Sequence, residues 1–90
     1  MNKNEFIDEV ARKSDMSKAQ AAKAVDAVFD TITEALQGGD DVRLVGFGTF
    51  SSVRREAREG RNPRTGETIK IKASNQPKFS AGKGLKDALN

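Results

Sequence analysis

The chain has 90 residues, enough for one small domain that buries only a modest hydrophobic core by itself. It contains no cysteine and no histidine, which excludes disulfides, thiolate metal sites and the commonest general base of enzymes. No apolar run reaches the roughly 18 residues of a membrane span, and the first residues do not have the pattern of a secretory signal. We therefore expect one cytoplasmic domain over residues 1–90 that is not an enzyme, enters no membrane, and needs no metal, cofactor or small-molecule substrate.

The net charge of +3 conceals an uneven distribution along the chain. Residues 1–50 carry 6 basic and 9 acidic side chains, whereas residues 51–90 carry 10 basic and 4 acidic ones. Five arginines fall within residues 54–64, around a turn motif rich in glycine and proline. A run of charge is most often a solvated face, but arginines clustered around a turn favour binding to a polyanion.

Residues 1–39 predict a helical hairpin with one apolar face. Asn2 with Glu5, and Ser17 with Gln20, have the spacing of capping boxes, and apolar residues follow each box at helical spacing. A pair of glycines after the second helix is typical of a helix end.

After residue 39 the apolar residues follow the alternation of β-strands. We place a three-stranded antiparallel sheet at residues 40–79. The segment VGFGTF at residues 45–50 predicts a strand, a tight turn and a second strand. After this second strand the chain has almost no apolar residues until TIKIK at residues 68–72, which has the alternation of a strand. GRNPRTG at residues 60–66, between these two strands, is rich in turn-forming residues. The pattern predicts a long β-ribbon arm over about residues 54–72 that has no core to pack on.

A short C-terminal helix is predicted over residues 80–90, with Ser80 as its N-cap and Leu85 and Leu89 on its apolar face. The fold class is therefore α+β: a helical hairpin, a three-stranded sheet with a protruding arm, and a short closing helix.

The predicted arm carries its basic and apolar side chains on different faces. Ile69 and Ile71 alternate with Lys70 and Lys72 along one strand. An arm of roughly nine residues per strand reaches about 30 Å, far enough to follow a DNA duplex. Arginines on a ribbon suit the narrow minor groove, where they add affinity with little reading of sequence. The basic candidates for DNA binding are Arg54, Arg55, Arg58, Arg61, Lys70 and Lys72.

Pro63, at the tip of the arm, has two interpretations. It either fixes the backbone of a turn, the commoner role of a turn proline, or acts as an apolar wedge between base pairs. The residues alone favour the turn.

The aromatic residues are expected in a core rather than stacked on unpaired bases. Phe47, Phe50 and Phe79 have apolar neighbours, and Phe29 lies on the apolar face of the second predicted helix. Because so small a chain buries little surface alone, we expect these four residues to form the core of a dimer.

Three segments resemble the bacterial histone-like HU and integration host factor family: VGFGTF at residues 45–50, GRNPRTG at 60–66 and PKFSAGKGLK at 77–86. The resemblance covers essentially the whole chain. It implies the same α+β fold in an intertwined homodimer, with two arms in the DNA minor groove. It also implies that Pro63 of each arm is intercalated at a kink, which makes the wedge the favoured interpretation.

By position, the resemblance implies DNA contacts from the arm and phosphate contacts from the body. The arm residues are Arg55, Arg58, Arg61, Asn62, Pro63, Arg64 and Lys72, and the body residues are Lys3, Lys83 and Lys86. Glu56 and Glu59 depart from the usual pattern of the arm, and they either weaken the affinity for DNA or pair with Arg54 and Arg58.

The function implied is architectural: largely sequence-nonspecific binding, bending and compaction of double-stranded DNA in the bacterial nucleoid. Two alternatives stay open. One is a site-specific bending subunit of a heterodimer similar to integration host factor, and the other is a protein-binding adaptor that uses the basic arm. The sequence does not decide whether bent or nicked DNA is preferred.

Overall fold

The computed structural model describes all residues from Met1 to Asn90 and contains three helices and five antiparallel strands, so the predicted α+β class is confirmed. The elements are α1 (Lys3–Ser14), α2 (Lys18–Gln37), β1 (Val42–Leu44), β2 (Gly48–Arg55), β3 (Arg58–Arg61), β4 (Thr68–Ile71), β5 (Ser74–Ala81) and α3 (Lys83–Leu89). The chain divides into two compact units, Met1–Ala35 and Leu36–Asn90. No helix combines the length and the apolar character that crossing a membrane requires.

Helix α1 begins with the capping box that the sequence predicts. The Glu5 backbone N–H donates to Oδ1 of Asn2 at 2.9 Å, and the Asn2 backbone N–H donates to Oε1 of Glu5 at 3.4 Å. At the other end Asp15 adopts the left-handed conformation, with φ at 56°, and its N–H donates to the carbonyl oxygen of Ala11. Local hydrogen bonds therefore define both ends of the helix.

Helix α2 follows the second predicted capping box. The Gln20 N–H donates to Oγ of Ser17, and the Ser17 N–H donates to Oε1 of Gln20, both at 3.2 Å. After the helix, Gly39 has φ at 81° and its N–H donates to the carbonyl oxygen of Leu36 at 3.1 Å. The glycine pair thus ends the helix as expected, because glycine, which lacks a β-carbon, adopts a positive φ without a steric penalty.

The buried core is small and lies in the first unit. It consists of Ile7 from α1 with Ala21 and Val25 from α2, whose exposed fractions are 6%, 0% and 5%. Partly buried apolar side chains pack around it: Val10, Ala11, Met16 and Ala22. No other hydrophobic side chain is buried to this degree, so the single chain leaves much apolar surface uncovered.

The second unit contains a three-stranded antiparallel sheet in the order β1-β2-β5. The predicted tight turn joins β1 to β2, where the Phe47 N–H donates to the carbonyl oxygen of Leu44 at 3.0 Å and Gly46 has φ at 82°. Strand β2 is central, and Phe50 lies opposite Val42 on one side and Phe79 on the other.

Beyond this sheet the strands continue into a separate two-stranded sheet of β3 and β4. The β2–β5 ladder ends where Arg55 faces Ser74, and pairing resumes where Arg58 faces Ile71. Two residues on each strand separate the ladders, and the register is the same on both sides. The predicted ribbon is therefore interrupted in its hydrogen bonding but not shifted in its pairing.

The start of α3 differs from the prediction, which was wrong about Ser80. Ser80 lies in β5 opposite Thr49, and the N-cap of α3 is Gly82, which makes no side-chain capping hydrogen bond. The Gly82 N–H donates instead to the carbonyl oxygen of Phe47 at 2.8 Å. The ladder with β2 extends through Ser80, so the helix starts only after the strand ends.

Candidate nucleic-acid interface

The turn of residues 62–67 joins β3 to β4 and is held by its own hydrogen bonds. The Asn62 N–H donates to the carbonyl oxygen of Glu67 at 2.8 Å, and the Gly66 N–H donates to that of Asn62 at 2.7 Å. The Arg64 N–H donates to Oδ1 of Asn62 at 2.9 Å, so the Asn62 side chain mimics a turn of the backbone. Asn62 therefore shapes the tip, and its amide nitrogen is the group left to act as a donor to a ligand.

Pro63 is exposed at this tip. It lies beyond the last pair of the β3–β4 ladder, where Arg61 faces Thr68. Its ring offers an apolar surface and no hydrogen-bond donor. The geometry is compatible with both interpretations of Pro63, the turn residue and the wedge.

The two faces of the distal ribbon differ in character. Gly60 lies opposite Ile69, and a β-carbon on Gly60 would be 2.8 Å from Cδ1 of Ile71, so both isoleucines flank Gly60 on one face. Their exposed fractions are 46% and 37%, which is high for such apolar side chains. Lys70, at the intervening position, faces Glu59 across the ribbon. The ribbon thus has one face with the two exposed isoleucines, which Arg58 opposite Ile71 shares, and one face with the charged pair of Glu59 and Lys70.

The five arginines of residues 54–64 are all exposed but belong to different elements. They are Arg54 and Arg55 in β2, Arg58 and Arg61 in β3, and Arg64 in the tip turn. Of the two pairings that the sequence left open, Arg54 with Glu56 is present, with Nε and Oε1 3.2 Å apart, and Glu59 with Arg58 is not. An exposed pair of this kind contributes at most about 1 kcal/mol to stability.

A cleft of about 280 Å³ lies at the interruption between the two ladders. It brings together three basic residues predicted to contact DNA and one carboxylate. Its lining consists of Arg55, Glu56, Arg58, Ile71, Lys72, Ser74 and Gln76. Three cations around one cleft suit an anion such as a phosphate group.

The basic residues predicted on the body are exposed, in different units. Lys3 begins α1, and its Nζ lies 2.8 Å from Oδ1 of Asp26. Lys83 and Lys86 lie on α3 and have no carboxylate within ion-pair distance. To bind a phosphate, the ammonium group of Lys3 must therefore break or share its ion pair with Asp26. The two lysines of α3 have no such ion pair to break.

The predicted core phenylalanines are only partly covered by the single chain. In the second unit the Phe79 ring centroid lies 4.8 Å from that of Phe50 and 5.6 Å from that of Phe47. Phe47 and Phe79 remain 46% and 42% exposed. A cluster of aromatic rings this open is typical of a surface that another molecule covers.

In the first unit, Phe29 lines an apolar groove of about 220 Å³ and is 46% exposed. The other lining residues are Phe6, Val10, Ala24, Val25 and Val28. Phe6, itself 42% exposed, was not among the expected dimer-core residues. The available signal was its place on the apolar face of α1.

The sequence pattern of one protein family, described as "Bacterial DNA-binding protein", matches residues 1–90. The chain belongs to the bacterial DNA-binding protein family. The resemblance stated from the sequence is thereby confirmed.

Several relatives match this member of the bacterial DNA-binding protein family over nearly their whole length. DNA-binding protein HRL18 of Rhizobium leguminosarum is 61% identical, over 100% of the chain and 99% of the relative. DNA-binding protein HU of Geobacillus stearothermophilus is 60% identical, over 99% of each. DNA-binding protein HU-beta of Escherichia coli strain K12 is 56% identical, over 100% of each.

Solved structures of this family share the fold. In the Anabaena HU–DNA cocrystal structure, HU is 49% identical, with a TM-score of 0.91 over 99% of this chain and 97% of that one. HU from Thermotoga maritima is 34% identical, with a TM-score of 0.70 over 100% of both chains.

Proposed function

We propose that the chain is an architectural DNA-binding protein that holds duplex DNA with its β-ribbon arm and bends it, largely without regard to base sequence. The observation that carries this proposal is the exposed basic ribbon, which ends in a hydrogen-bonded turn that contains the exposed Pro63. Its likeness to the HU of a DNA cocrystal, over nearly the whole chain, supports the same conclusion.

Affinity comes from the charges of the arm and the body. Guanidinium and ammonium groups bind phosphates and the electronegative minor groove, whose pattern of donors and acceptors distinguishes bases poorly. The contacting residues that we propose are Arg55, Arg58, Arg61, Asn62, Pro63, Arg64, Lys70 and Lys72 on the arm and Lys3, Lys83 and Lys86 on the body. Such contacts give binding that depends on salt more than on sequence.

Bending is the role that we propose for Pro63. An apolar ring without a donor gains little from the wet surface of the duplex, but it can fill the gap between two separated base pairs. Unstacking costs a few kcal/mol per step, and the bend offsets this by bringing more of the DNA backbone against the protein.

The protein acts as a homodimer in this proposal. The open Phe47–Phe79 cluster and the groove beside Phe29 are apolar surfaces that a single chain leaves in water. A second copy would cover them and supply the core that so small a chain lacks. Two arms on one dimer would compact DNA in the nucleoid of the bacterial cytoplasm.

The salt dependence of binding to random duplex DNA tests this function. Each phosphate neutralised releases counterions and adds about −0.9 to the slope of log affinity against log salt. We expect a slope of several units, measured by fluorescence anisotropy over a series of salt concentrations. Arg61→Ala should reduce the magnitude of the slope by about one unit, because it removes one contact.

Lys23→Ala, on the exposed side of α2, is the matched control, since it removes one positive charge that the proposal does not use. It should leave the slope unchanged. A slope near zero, or binding restricted to one defined site, would overturn the proposal of sequence-nonspecific architectural binding.

A further inference from the structure

The cleft at the interruption between the two ladders contains a single carboxylate. Arg55, Arg58 and Lys72 surround a space of about 280 Å³, and Glu56 is the acidic residue among the lining. A free carboxylate there would repel an entering phosphate and attract the cations that should bind it. The charge on Glu56 is therefore the feature of this cleft that needs explaining.

The partner of Glu56 approaches from outside the cleft. Arg54 precedes Arg55 in β2, and successive side chains of a strand point to opposite faces. Arg55 and Glu56 both line the cleft, and Arg54 does not. Yet Nε of Arg54 lies 3.2 Å from Oε1 of Glu56, and the side chains are 58% and 81% exposed.

We propose that this cleft binds one backbone phosphate of duplex DNA and that Arg54 is a positioning residue, which holds and neutralises Glu56 so that the phosphate can enter. The inference rests on the proposed DNA binding and gives Arg54 a role different from the direct contact predicted by its sequence position. Three cations are then available to the phosphate, while the pair of Arg54 and Glu56 has no net charge.

Loss of Arg54 releases a competitor for the phosphate. Without Arg54, the Glu56 side chain can turn toward Arg55 or Arg58 and accept a hydrogen bond from that guanidinium group. The guanidinium group is then not available to the phosphate, and the carboxylate repels the DNA backbone. In water, the repulsion between two like charges about 4 Å apart lowers a binding constant about fivefold. The loss of DNA affinity caused by removing Arg54 should therefore depend on the presence of the Glu56 carboxylate.

A double-mutant cycle tests the inference on the full-length protein, with a short random duplex at one fixed salt concentration. Arg54→Gln should weaken binding about fivefold when Glu56 is present. The same substitution should have little effect when Glu56 is already glutamine. Arg54→Lys, which keeps the charge beside Glu56, should recover most of the loss. These three results together support the positioning role.

The competing explanation is that Arg54 binds DNA directly. In that case Arg54→Gln weakens binding equally whether position 56 is glutamate or glutamine, and this result would overturn the inference. Arg61→Gln is the matched control, because Arg61 lies outside the cleft and forms none of the ion pairs of the chain. Its effect should be the same in both backgrounds.

The cycle also separates this inference from the proposed function. If the unchanged protein shows no salt-dependent affinity for random duplex, DNA binding itself is wrong. If the unchanged protein binds but the effect of Arg54→Gln persists without Glu56, only the role of Arg54 is wrong. Circular dichroism and melting of each variant establish that the fold is retained, which the surface position of both side chains favours.

Discussion

Gly48 lies directly against the ring of Phe79. A β-carbon on Gly48 would be 2.6 Å from Cζ of Phe79 and 2.7 Å from the carbonyl oxygen of Ser80. Gly48 is also the one buried residue of β2. The absence of a side chain here lets the aromatic cluster sit on the backbone of the sheet.

We expect Gly48→Ala to lower the free energy of unfolding by about 1–3 kcal/mol, because the added β-carbon would meet the backbone carbonyl of Ser80, which cannot rotate away. Chemical denaturation at a fixed protein concentration measures it. Gly60→Ala is the matched control, because its β-carbon would meet the end of the Ile71 side chain, which can rotate away. Equal stability of the two variants would contradict the close packing at Phe79.

The proposed homodimer predicts a melting temperature that rises with protein concentration, because unfolding then separates two chains. Scanning calorimetry over a wide concentration range checks this. We expect Phe29→Ala to weaken the dimer by about 3–5 kcal/mol, the cost of truncating a covered phenylalanine. Lys23→Ala on the same helix should have little effect. A folded monomer that survives dilution with an unchanged melting temperature would exclude the dimer.

Pro63→Ala should reduce the bending of intact duplex and should weaken binding less when the DNA is already nicked or kinked, since the unstacking is then already done. Energy-transfer measurements on end-labelled DNA report the bend. Arg61→Ala should weaken binding to both forms of DNA, because it removes charge and no wedge. If Pro63→Ala bends intact duplex as strongly as the unchanged protein at saturation, Pro63 is an ordinary turn residue.

An ion pair on α1 predicts a pH effect. Nη2 of Arg12 donates to Oε2 of Glu9 at 2.7 Å, and this hydrogen bond, with the charge of Arg12, holds the pKa of Glu9 below its ordinary value. Because the pKa is lower in the folded state, the stabilisation is present above the ordinary pKa of glutamate and is lost as the pH falls through the folded value. High salt should weaken it, since the pair is exposed.

Arg12→Ala should raise the pKa of Glu9 toward its ordinary value, as followed by NMR titration of the side-chain carboxyl carbon. Lys13→Ala should raise it less, since Lys13 acts on Glu9 only through its charge and is the weakest of the causes. A pKa of Glu9 that responds equally to both substitutions would show that the hydrogen bond is not the main cause.

Local rules predicted the helices well. The capping boxes at Asn2 and Ser17 depend on residues three positions apart, and both are present as hydrogen bonds. Ser80 failed as a predicted cap because its backbone belongs to a ladder with Thr49, thirty-one positions earlier in the chain. A long-range pairing thus overrode a local preference.

The site was predicted as a set of residue types but not as an arrangement. The charge pattern indicated Arg55, Arg58 and Lys72, but their convergence on one cleft depends on where the ladder is interrupted, which no residue pattern predicted. Whether Glu56 and Glu59 weaken DNA affinity or pair with Arg54 and Arg58 was left open, and only the side-chain geometry shows that Arg54 pairs with Glu56.

The unchanged register across the interruption limits how the arm can vary in length. Side chains alternate between faces with a period of two, so one residue added to a single strand would turn every side chain beyond it to the other face. The faces of Lys70 and Ile71 would then be exchanged relative to the base of the arm. Longer or shorter arms that keep these faces must therefore gain or lose two residues on each strand, and each such addition extends the reach by about 6.6 Å.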